Sequence, residues 1–169
     1  MRATFGVTGL WAETYPVELL AITADGHQLM NHSYSHRSFT GVSAGAPPLT
    51  PDERALELQR TETTVYRMSN RSTRPYFRPP YGDIDAALPG DAAAAGYGYV
   101  VMWSIDTLGW DGAPSDEIIT RVRAQATPGA IVVLHVAAAA QDAAALPALI
   151  DTLRADGYAF ETITDILAD

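Results

Sequence analysis

The chain has 169 residues, no cysteine and a formal charge of −9 at pH 7. This length suits one domain, the absence of cysteine excludes disulfides and thiolate metal sites, and the acidic balance opposes nucleic-acid binding, which depends on cationic side chains. Nucleic acid is therefore not an expected partner. The start MRATFGVTGL lacks the pattern of a signal peptide, and no stretch approaches a membrane span, so no membrane-spanning segment is expected.

Short runs rich in β-branched and aromatic residues alternate with helical segments along the chain. The predicted strands are Ala3–Thr8, Gln28–Asn31, Tyr76–Arg78, Tyr99–Trp103, Ala130–His135 and Ala159–Glu161. The run AIVVLH at 130–135 is almost wholly apolar, which is typical of a strand covered on both faces. The alternation predicts an α/β fold with a parallel sheet, either a barrel or an open sheet.

Three helices have clear boundary signals. The sequence TPDE at 50–53 combines a capping threonine, a proline suited to the first helical position and a glutamate that can reach back, which predicts a helix to about Met68. Similar signals predict helices over 115–126 and 142–156, whereas Pro89-Gly90 is expected to interrupt the segment 85–95. Alanine favours helix, so the alanine runs at 92–95, 137–140 and 143–145 are interpreted as helical.

The segment NHSYSH, residues 31–36, places two histidines four positions apart directly after a predicted strand. On a helical turn, His32 and His36 would share a face and could converge on one metal ion, while Ser33 satisfies local backbone donors. The alternative is a loop whose histidines bind nothing. Position favours the metal, because sites gather at the carboxyl ends of strands in α/β folds.

Other chemically capable residues follow further predicted strands. The sequence RPPYG at 78–82 follows the third strand, Asp106 and Trp110 follow WSID, and His135 ends AIVVLH. Since parallel strands end at one edge of their sheet or barrel, these residues are predicted to face a common cavity.

These motifs, in this order, resemble those of the polysaccharide deacetylases of the NodB-homology type, carbohydrate esterase family 4. ATFGVTG resembles the family's second strand, DGHQLMNHSYSH its histidine motif, FRPPYG its third motif, WSIDTLGWDG its fourth and IVVLH its fifth. The resemblance runs from Ala3 to the end. It implies a distorted (β/α) barrel without its first strand, formed by a single domain over residues 1–169.

The resemblance implies roles for residues of the histidine motif and of the third motif. His32 and His36 would bind a divalent metal, expected to be zinc, and Ser33 would support the loop between them. Tyr81 would donate its backbone N–H to the oxyanion, and Arg78 would orient the catalytic base. Water activated by such a metal is a usable nucleophile at neutral pH.

The later motifs would supply the acid and the pocket. The nitrogen of an amide is a poor leaving group as an anion, so an acid is required to protonate it. The resemblance implies that His135 protonates the leaving amine. Asp106 would hold His135 and favour its protonated form. Trp110, Leu134 and Pro80 would line the substrate pocket, with Pro80 also stiffening the turn that presents the oxyanion donor.

The chain departs from the family pattern at several places. The family's first motif, a strand ending Phe-Asp-Asp-Gly whose two aspartates are the base and a metal ligand, has no counterpart here. Either the natural protein is longer upstream or this domain has lost its base; we expect the former, because the other motifs are intact and a lost strand would expose an edge at Ala3–Thr8. Gly6, Gly109 and Val136 stand where the family often has an aromatic residue and two aspartates.

The sequence therefore predicts a metal-dependent hydrolase that removes acetyl groups from a polysaccharide, either an N-acetylglucosamine polymer such as chitin or peptidoglycan, or acetylxylan. One alternative is a non-catalytic glycan-binding remnant of the fold. Another is a hydrolase of small linear or cyclic amides, against which RPPYG and the Asp106–Trp110 pair argue. An acetylated glycan is the expected partner, and the resemblance implies an exported or cell-envelope location.

Overall fold

In the computed structural model, which describes residues 1–136 and 140–168, the chain divides into two units. The first comprises Met1–Val101 together with the segment that follows from Glu161, and the second comprises Met102–Phe160. The two histidines of NHSYSH lie in the first unit, and the Asp106 and His135 motifs lie in the second.

Four parallel strands form the sheet of the first unit: β1 (Thr4–Val7), β2 (Gln28–Asn31), β3 (Tyr76–Phe77) and β4 (Tyr99–Val100). Their order is β1-β2-β3-β4, so each strand pairs with its neighbours in sequence. Each lies within a predicted run, and the parallel sheet is confirmed. Because β2 and β3 are adjacent, the residues that follow them begin side by side, and the Arg78 N–H donates to the Asn31 carbonyl at 2.9 Å.

The helices of this unit begin at recognisable caps. Helix α3 (Pro51–Ser69) has the predicted capping box between Thr50 and Glu53, and it ends at a left-handed Asn70. Two short helices, α1 (Gly9–Thr14) and α2 (Pro16–Ala24), were not predicted. Helix α4 (Leu88–Ala94) contains Pro89-Gly90, so the predicted interruption is wrong: proline is tolerated in the first turn, where its missing N–H has no intrahelical partner.

Two apolar clusters hold α3 on the sheet. One cluster comprises Phe39, Leu49, Leu58, Phe77, Leu88, Ala92, Ala95 and Tyr97. The other comprises Val7, Ala12, Leu19, Leu29 and Val65. Burying such side chains stabilises the fold by roughly 1.5–3 kcal/mol for each large residue, and here it fixes the sheet edge from which the histidine loop leaves.

The second unit contains a parallel pair of strands, β5 (Ile105–Asp106) and β6 (Val132–Val133), with helices α5 (Ser115–Gln125) and α6 (Asp142–Ala155). Both helices match their predicted extents. Ile105, Val122, Leu149 and Leu153 form the core between strands and helices. The pairing brings the ends of β5 and β6 together, and with them the residues that follow.

Two strand predictions need correction. The predicted strand 99–103 ends at Val100, and β5 is a separate strand. Residues 159–161 form no strand, because the backbone on either side is committed to helix ends. Tyr158 N–H donates to the Leu153 carbonyl at the end of α6, and Thr162 caps the short helix α7 (Ile163–Ile166).

Most of the alanine-rich sequence is helical as predicted. Residues 92–94 lie in α4 and 143–145 in α6, while 137–139 lie outside the described residues. In the described part of the chain, no helix combines the length and apolar character needed to cross a membrane.

A buried arginine ties α3 to the start of α4. Arg54, 4% exposed, donates to both carboxylate oxygens of Asp85, to Asp91 at 2.9 Å and to the Phe39 carbonyl at 3.1 Å. Replacing it with alanine is expected to lower the free energy of unfolding by about 2–3 kcal/mol, because two carboxylates lose their buried partner. The carboxylates are partly exposed, which keeps the loss below that of a fully buried pair.

Urea denaturation of Arg54→Ala measures this loss, with Arg123→Ala as the matched control. Arg123 makes a similar two-point contact with Asp156, but its side chain is 60% exposed. Exposed pairs contribute at most about 1 kcal/mol, so the control should change stability much less. Equal losses in the two variants would contradict the argument.

Candidate functional site

The two histidines of NHSYSH face each other after β2. Their Nε2 atoms lie 3.2 Å apart, and the ring centroids are 4.8 Å apart at an interplanar angle of 74°. His32 is buried, with 8% of its surface exposed, and His36 is half-buried. The sequence placed the pair on one predicted surface, and the structure brings the two rings together.

The loop that joins them is not helical, so the predicted helical turn is wrong. Ser33 has φ 66° and His36 has φ 60°, the left-handed region that non-glycine residues seldom adopt. These two reversals, rather than helical periodicity, fold the second ring back on the first. The Ser33 hydroxyl accepts the His36 N–H at 3.0 Å, which places Ser33 in the supporting position that the sequence predicted.

Hydrogen bonding fixes which nitrogen of His32 faces its partner. Nδ1 lies 2.7 Å from the Arg78 carbonyl, which can only accept, so Nδ1 carries the proton and Nε2 presents its lone pair. Burial, followed by the nearby Arg78 charge, lowers the pKa of His36 below its ordinary value of 6.5. The lowered pKa favours the neutral form of His36, which is the form that binds metal ions.

The nitrogen separation can be compared with that of a metal site. Two nitrogens bound to one tetrahedral zinc at about 2.0–2.1 Å stand about 3.3–3.4 Å apart. The observed 3.2 Å is close to this value, and a backbone carbonyl on Nδ1 is the usual outer partner of a metal-binding imidazole. Among residues 1–136 and 140–168, however, no group of three histidine, cysteine, aspartate or glutamate side chains could hold a metal ion.

The turn after β3 lies beside the histidines. The Arg78 guanidinium comes within 3.4 Å of His32 Nε2, and the Tyr81 ring packs edge-on against His36 at 4.8 Å. Pro80 is buried, whereas Tyr81 is 54% exposed in a short 3-10 turn with φ 62°. Ser33, His36 and Tyr81 thus form a group of left-handed residues, and such strained backbone tends to collect at functional sites.

In the second unit, the predicted pair Asp106 and His135 is brought together by β5 and β6. Asp106 Oδ1 lies 3.1 Å from His135 Nε2 and also accepts the Leu108 N–H at 2.8 Å. Both side chains are 22% exposed. Since a carboxylate only accepts, Nε2 carries the proton in this contact, and Nδ1 is left for another partner.

The two predicted pocket residues of this unit differ in placement. Trp110, in the turn after β5, is 59% exposed, whereas half-buried Leu134 packs against the core cluster of the unit. Gly109, beside Trp110, lies against the buried carboxylate of Asp142, which also accepts the Thr107 hydroxyl. Asp142 therefore occupies the space that a side chain at position 109 would need.

Adding a side chain at position 109 is expected to destabilise the protein. A Cβ there would lie 1.5 Å from Asp142 Oδ2, so Gly109→Ala forces the loop or the helix to shift, at a cost of about 1–3 kcal/mol. Thermal unfolding of Gly109→Ala measures the effect. Gly90→Ala in α4, where a Cβ meets nothing within 4 Å, is the control and should be neutral or slightly stabilising.

Sequence reasoning missed two residues that hold the histidine loop. Asn31, fully buried, accepts the Ser33 N–H and donates to the Leu58 carbonyl and the Tyr97 hydroxyl. Glu57, in the middle of α3, accepts three hydrogen bonds from the loop. The signal available in the sequence for Glu57 was a charged residue at a position where helical spacing places it on the buried face of α3.

Residues 1–100 match the family described as polysaccharide deacetylase. The chain is 30% identical over 135 residues to a peptidoglycan-N-acetylglucosamine deacetylase of Bacillus cereus, covering 80% of this chain and 46% of that protein. It is 29% identical over 170 residues to the peptidoglycan-N-acetylmuramic acid deacetylase PdaA of Bacillus subtilis, covering 99% and 61%. The chain thus spans about half the length of these curated relatives.

Solved structures of similar fold include both an enzyme and a pseudoenzyme. BA3943 of Bacillus anthracis, described as a family 4 carbohydrate esterase pseudoenzyme, superposes with a TM-score of 0.86 at 29% identity, covering 99% of this chain and 56% of that one. The Bc1960 peptidoglycan N-acetylglucosamine deacetylase gives 0.87 at 28% identity, covering 98% and 74%. The predicted fold class, that of the NodB-homology deacetylases, is confirmed by these likenesses.

Proposed function

Since the chain belongs to the polysaccharide deacetylase family, we propose that it contributes two metal-binding histidines and the general acid of a hydrolase that removes acetyl groups from peptidoglycan. The observation that carries the proposal is the facing pair His32 and His36, whose Nε2 atoms are 3.2 Å apart. Two imidazoles at this separation fit a divalent cation, for which zinc is our proposal. When bound, such a cation would supply Lewis-acid activation of water near neutral pH.

The remaining residues of the first unit have roles that their positions support. Arg78, whose guanidinium is 3.4 Å from His32 Nε2, would orient a carboxylate base. Tyr81 would donate its backbone N–H to the developing oxyanion from the turn that Pro80 begins. The carboxylate base itself, together with a third metal ligand, is what this reaction still needs beyond these residues.

The pair in the second unit suits the proton transfer to the leaving group. Asp106 holds the Nε2 edge of His135, so the Nδ1 edge would deliver the proton to the amine nitrogen as the C–N bond breaks. The carboxylate fixes the orientation of the ring that would donate the proton. Trp110, exposed in the turn after β5, and Leu134 are the proposed contacts for substrate.

Peptidoglycan is the proposed substrate because several similar proteins are named as acting on it. The Bacillus cereus relative is named for its N-acetylglucosamine and PdaA for its N-acetylmuramic acid. Both sugars carry an N-acetyl group on C2, so an amide hydrolase is common to the two. These names support peptidoglycan over chitin and acetylxylan, which the sequence also left open.

A specific observation favours a second candidate, a glycan-binding protein without turnover. The described residues contain no group of three metal ligands, and a solved relative is itself described as a pseudoenzyme. Such a protein would keep the pocket residues and bind glycan without releasing acetate.

Acetate release from purified Bacillus peptidoglycan, in buffer containing zinc, separates the two candidates. Release that stops when His135 is replaced by alanine supports hydrolysis by this chain. If the protein sediments with insoluble peptidoglycan but releases no acetate from it, the glycan-binding candidate is supported. Release of ammonia or acid from small linear amides, with none of acetate from glycan, would assign the chain to the related amide hydrolases instead.

Replacing Asp106 with asparagine tests the proton donor. The variant should keep its fold and its zinc uptake but release acetate more slowly, because an amide oxygen is a weaker acceptor than a carboxylate for the His135 Nε2–H that fixes the ring. Loss of a positioned acid typically costs about 10²–10⁴-fold in rate, and a weakened one should cost less. An unchanged rate of acetate release would remove Asp106 from the mechanism.

A further inference from the structure

We infer that Glu57 of α3 is a positioning residue for the metal-binding loop, because its carboxylate clamps the two residues immediately before His36. The inference rests on the proposed metal site, and it assigns a role to a residue outside every motif that the sequence singled out. Glu57 does not contact either imidazole; it acts through the backbone that carries the second one.

The clamp consists of three hydrogen bonds to one carboxylate. Glu57 Oε2 accepts the N–H groups of Tyr34 and Ser35 at 2.9 and 2.8 Å, and Oε1 accepts the Ser35 hydroxyl at 2.8 Å. The residue is 7% exposed, so water competes little for these bonds. Hydrogen bonds to a carboxylate are about twice as strong as those between neutral groups, so a carboxylate at this position holds the loop more firmly than a neutral acceptor would.

The loop needs such support because its conformation is intrinsically unfavourable. Ser33 and His36 bracket the clamped residues, and both have left-handed φ angles that a side-chain-bearing residue adopts only when its surroundings impose them. Asn31 anchors the loop at its start through the Ser33 N–H, and Glu57 anchors its middle. With both anchors in place, His36 Nε2 is held 3.2 Å from its partner atom.

Helix α3 is a rigid place from which to hold the loop. Its capping box fixes its start, and Leu58, next to Glu57, is fully buried in the core. The carboxylate is therefore fixed by the same packing that fixes the sheet edge. Removing it should free the loop to relax, which lowers the fraction of molecules with both nitrogens correctly placed for one cation.

The same helix supplies a matched control. Glu62 also accepts three hydrogen bonds from a neighbouring loop: the Thr73 N–H at 2.9 Å, the Thr73 hydroxyl at 2.6 Å and the Ser72 hydroxyl at 2.6 Å. That loop precedes β3 and carries no histidine. The two glutamates thus accept the same number of hydrogen bonds, but only Glu57 bonds directly to residues between His32 and His36.

The test is zinc affinity, measured by isothermal titration calorimetry on residues 1–169 as the wild type and as Glu57→Ala, Glu57→Gln, Glu62→Ala and His32→Ala variants. Glu57→Ala is expected to weaken zinc binding about 10–100-fold, the range for loss of a group that orients a metal ligand. Glu57→Gln, which keeps one acceptor oxygen for the two N–H groups, should lie between Glu57→Ala and the wild type. Glu62→Ala should lower the unfolding temperature without changing the Kd.

Each outcome bears on a different claim. An unchanged Kd in Glu57→Ala, or in Glu57→Gln should the alanine variant not fold, would overturn the inference. So would an equal loss of affinity in Glu62→Ala, because the effect would then be general destabilisation. Zinc binding by the wild type no tighter than by His32→Ala would instead overturn the proposed metal site, and the role of Glu57 toward zinc with it.

Discussion

Replacing His32 with alanine is expected to abolish specific zinc uptake by the folded chain. The two Nε2 atoms, 3.2 Å apart, are the proposed ligands, and a single remaining imidazole is no better than a surface histidine. The affinity should fall by more than the roughly 10–100-fold that loss of an outer partner costs. Calorimetric titration with zinc, after removal of bound metal with a chelator, measures the change.

His27→Ala is the control for this prediction. His27 lies at the other end of β2, where its Nδ1 accepts the Ala3 N–H at 3.1 Å, so it has a structural contact and no part in the proposed site. Its loss should leave the zinc affinity unchanged. Full zinc retention by a folded His32→Ala protein would remove the basis of the hydrolase proposal.

Residues 1–169 alone are expected to release acetate from peptidoglycan about 10²–10⁴-fold more slowly than the same chain supplied with a carboxylate base. This range is the usual contribution of a general base, and a third metal ligand would add to it. No group of three metal ligands exists among the described residues, and the sequence contains no Phe-Asp-Asp-Gly. Initial rates at saturating zinc give the comparison.

The comparison protein is the same chain extended at its N-terminus by a strand that ends in Phe-Asp-Asp-Gly. Strand β1 lies at one edge of its sheet, which gives such a strand a place to pair. A second extension ending Phe-Asn-Asn-Gly has the same length without the carboxylates, so it separates chemistry from added stability. Comparable turnover by the unextended and the Asp-Asp proteins would contradict the prediction.

These two experiments together divide the functional candidates. Tight zinc binding with slow turnover that the added carboxylates increase supports an incomplete deacetylase site. Zinc binding with no turnover in either form favours the glycan-binding alternative, in line with the pseudoenzyme among the structural relatives. The His32→Ala variant tests the metal site, and the two extended chains test the base.

The elements that local sequence controls were predicted closely. The capping box of Thr50 and Glu53 and the proline at position 51 fix the start of α3 through contacts within four residues. Helices α5 and α6 and the parallel arrangement of β1 to β4 follow equally from local periodicity and alternation. The histidine pair was predicted to converge because it follows a strand and has a spacing of four, whereas the contact of Asp106 with His135 was implied by the family resemblance.

The tertiary structure alone decided what supports those residues. Glu57 lies 20 or more positions from the loop that it holds, and Asp142 lies 33 positions after Gly109, so no local pattern links them. The left-handed turns at Ser33 and His36 are also imposed by such distant contacts, which is why a helical turn was the wrong expectation. Local propensity fixes where a helix or strand begins, but only packing between distant segments can hold an unfavourable backbone and fix the distance between two side chains.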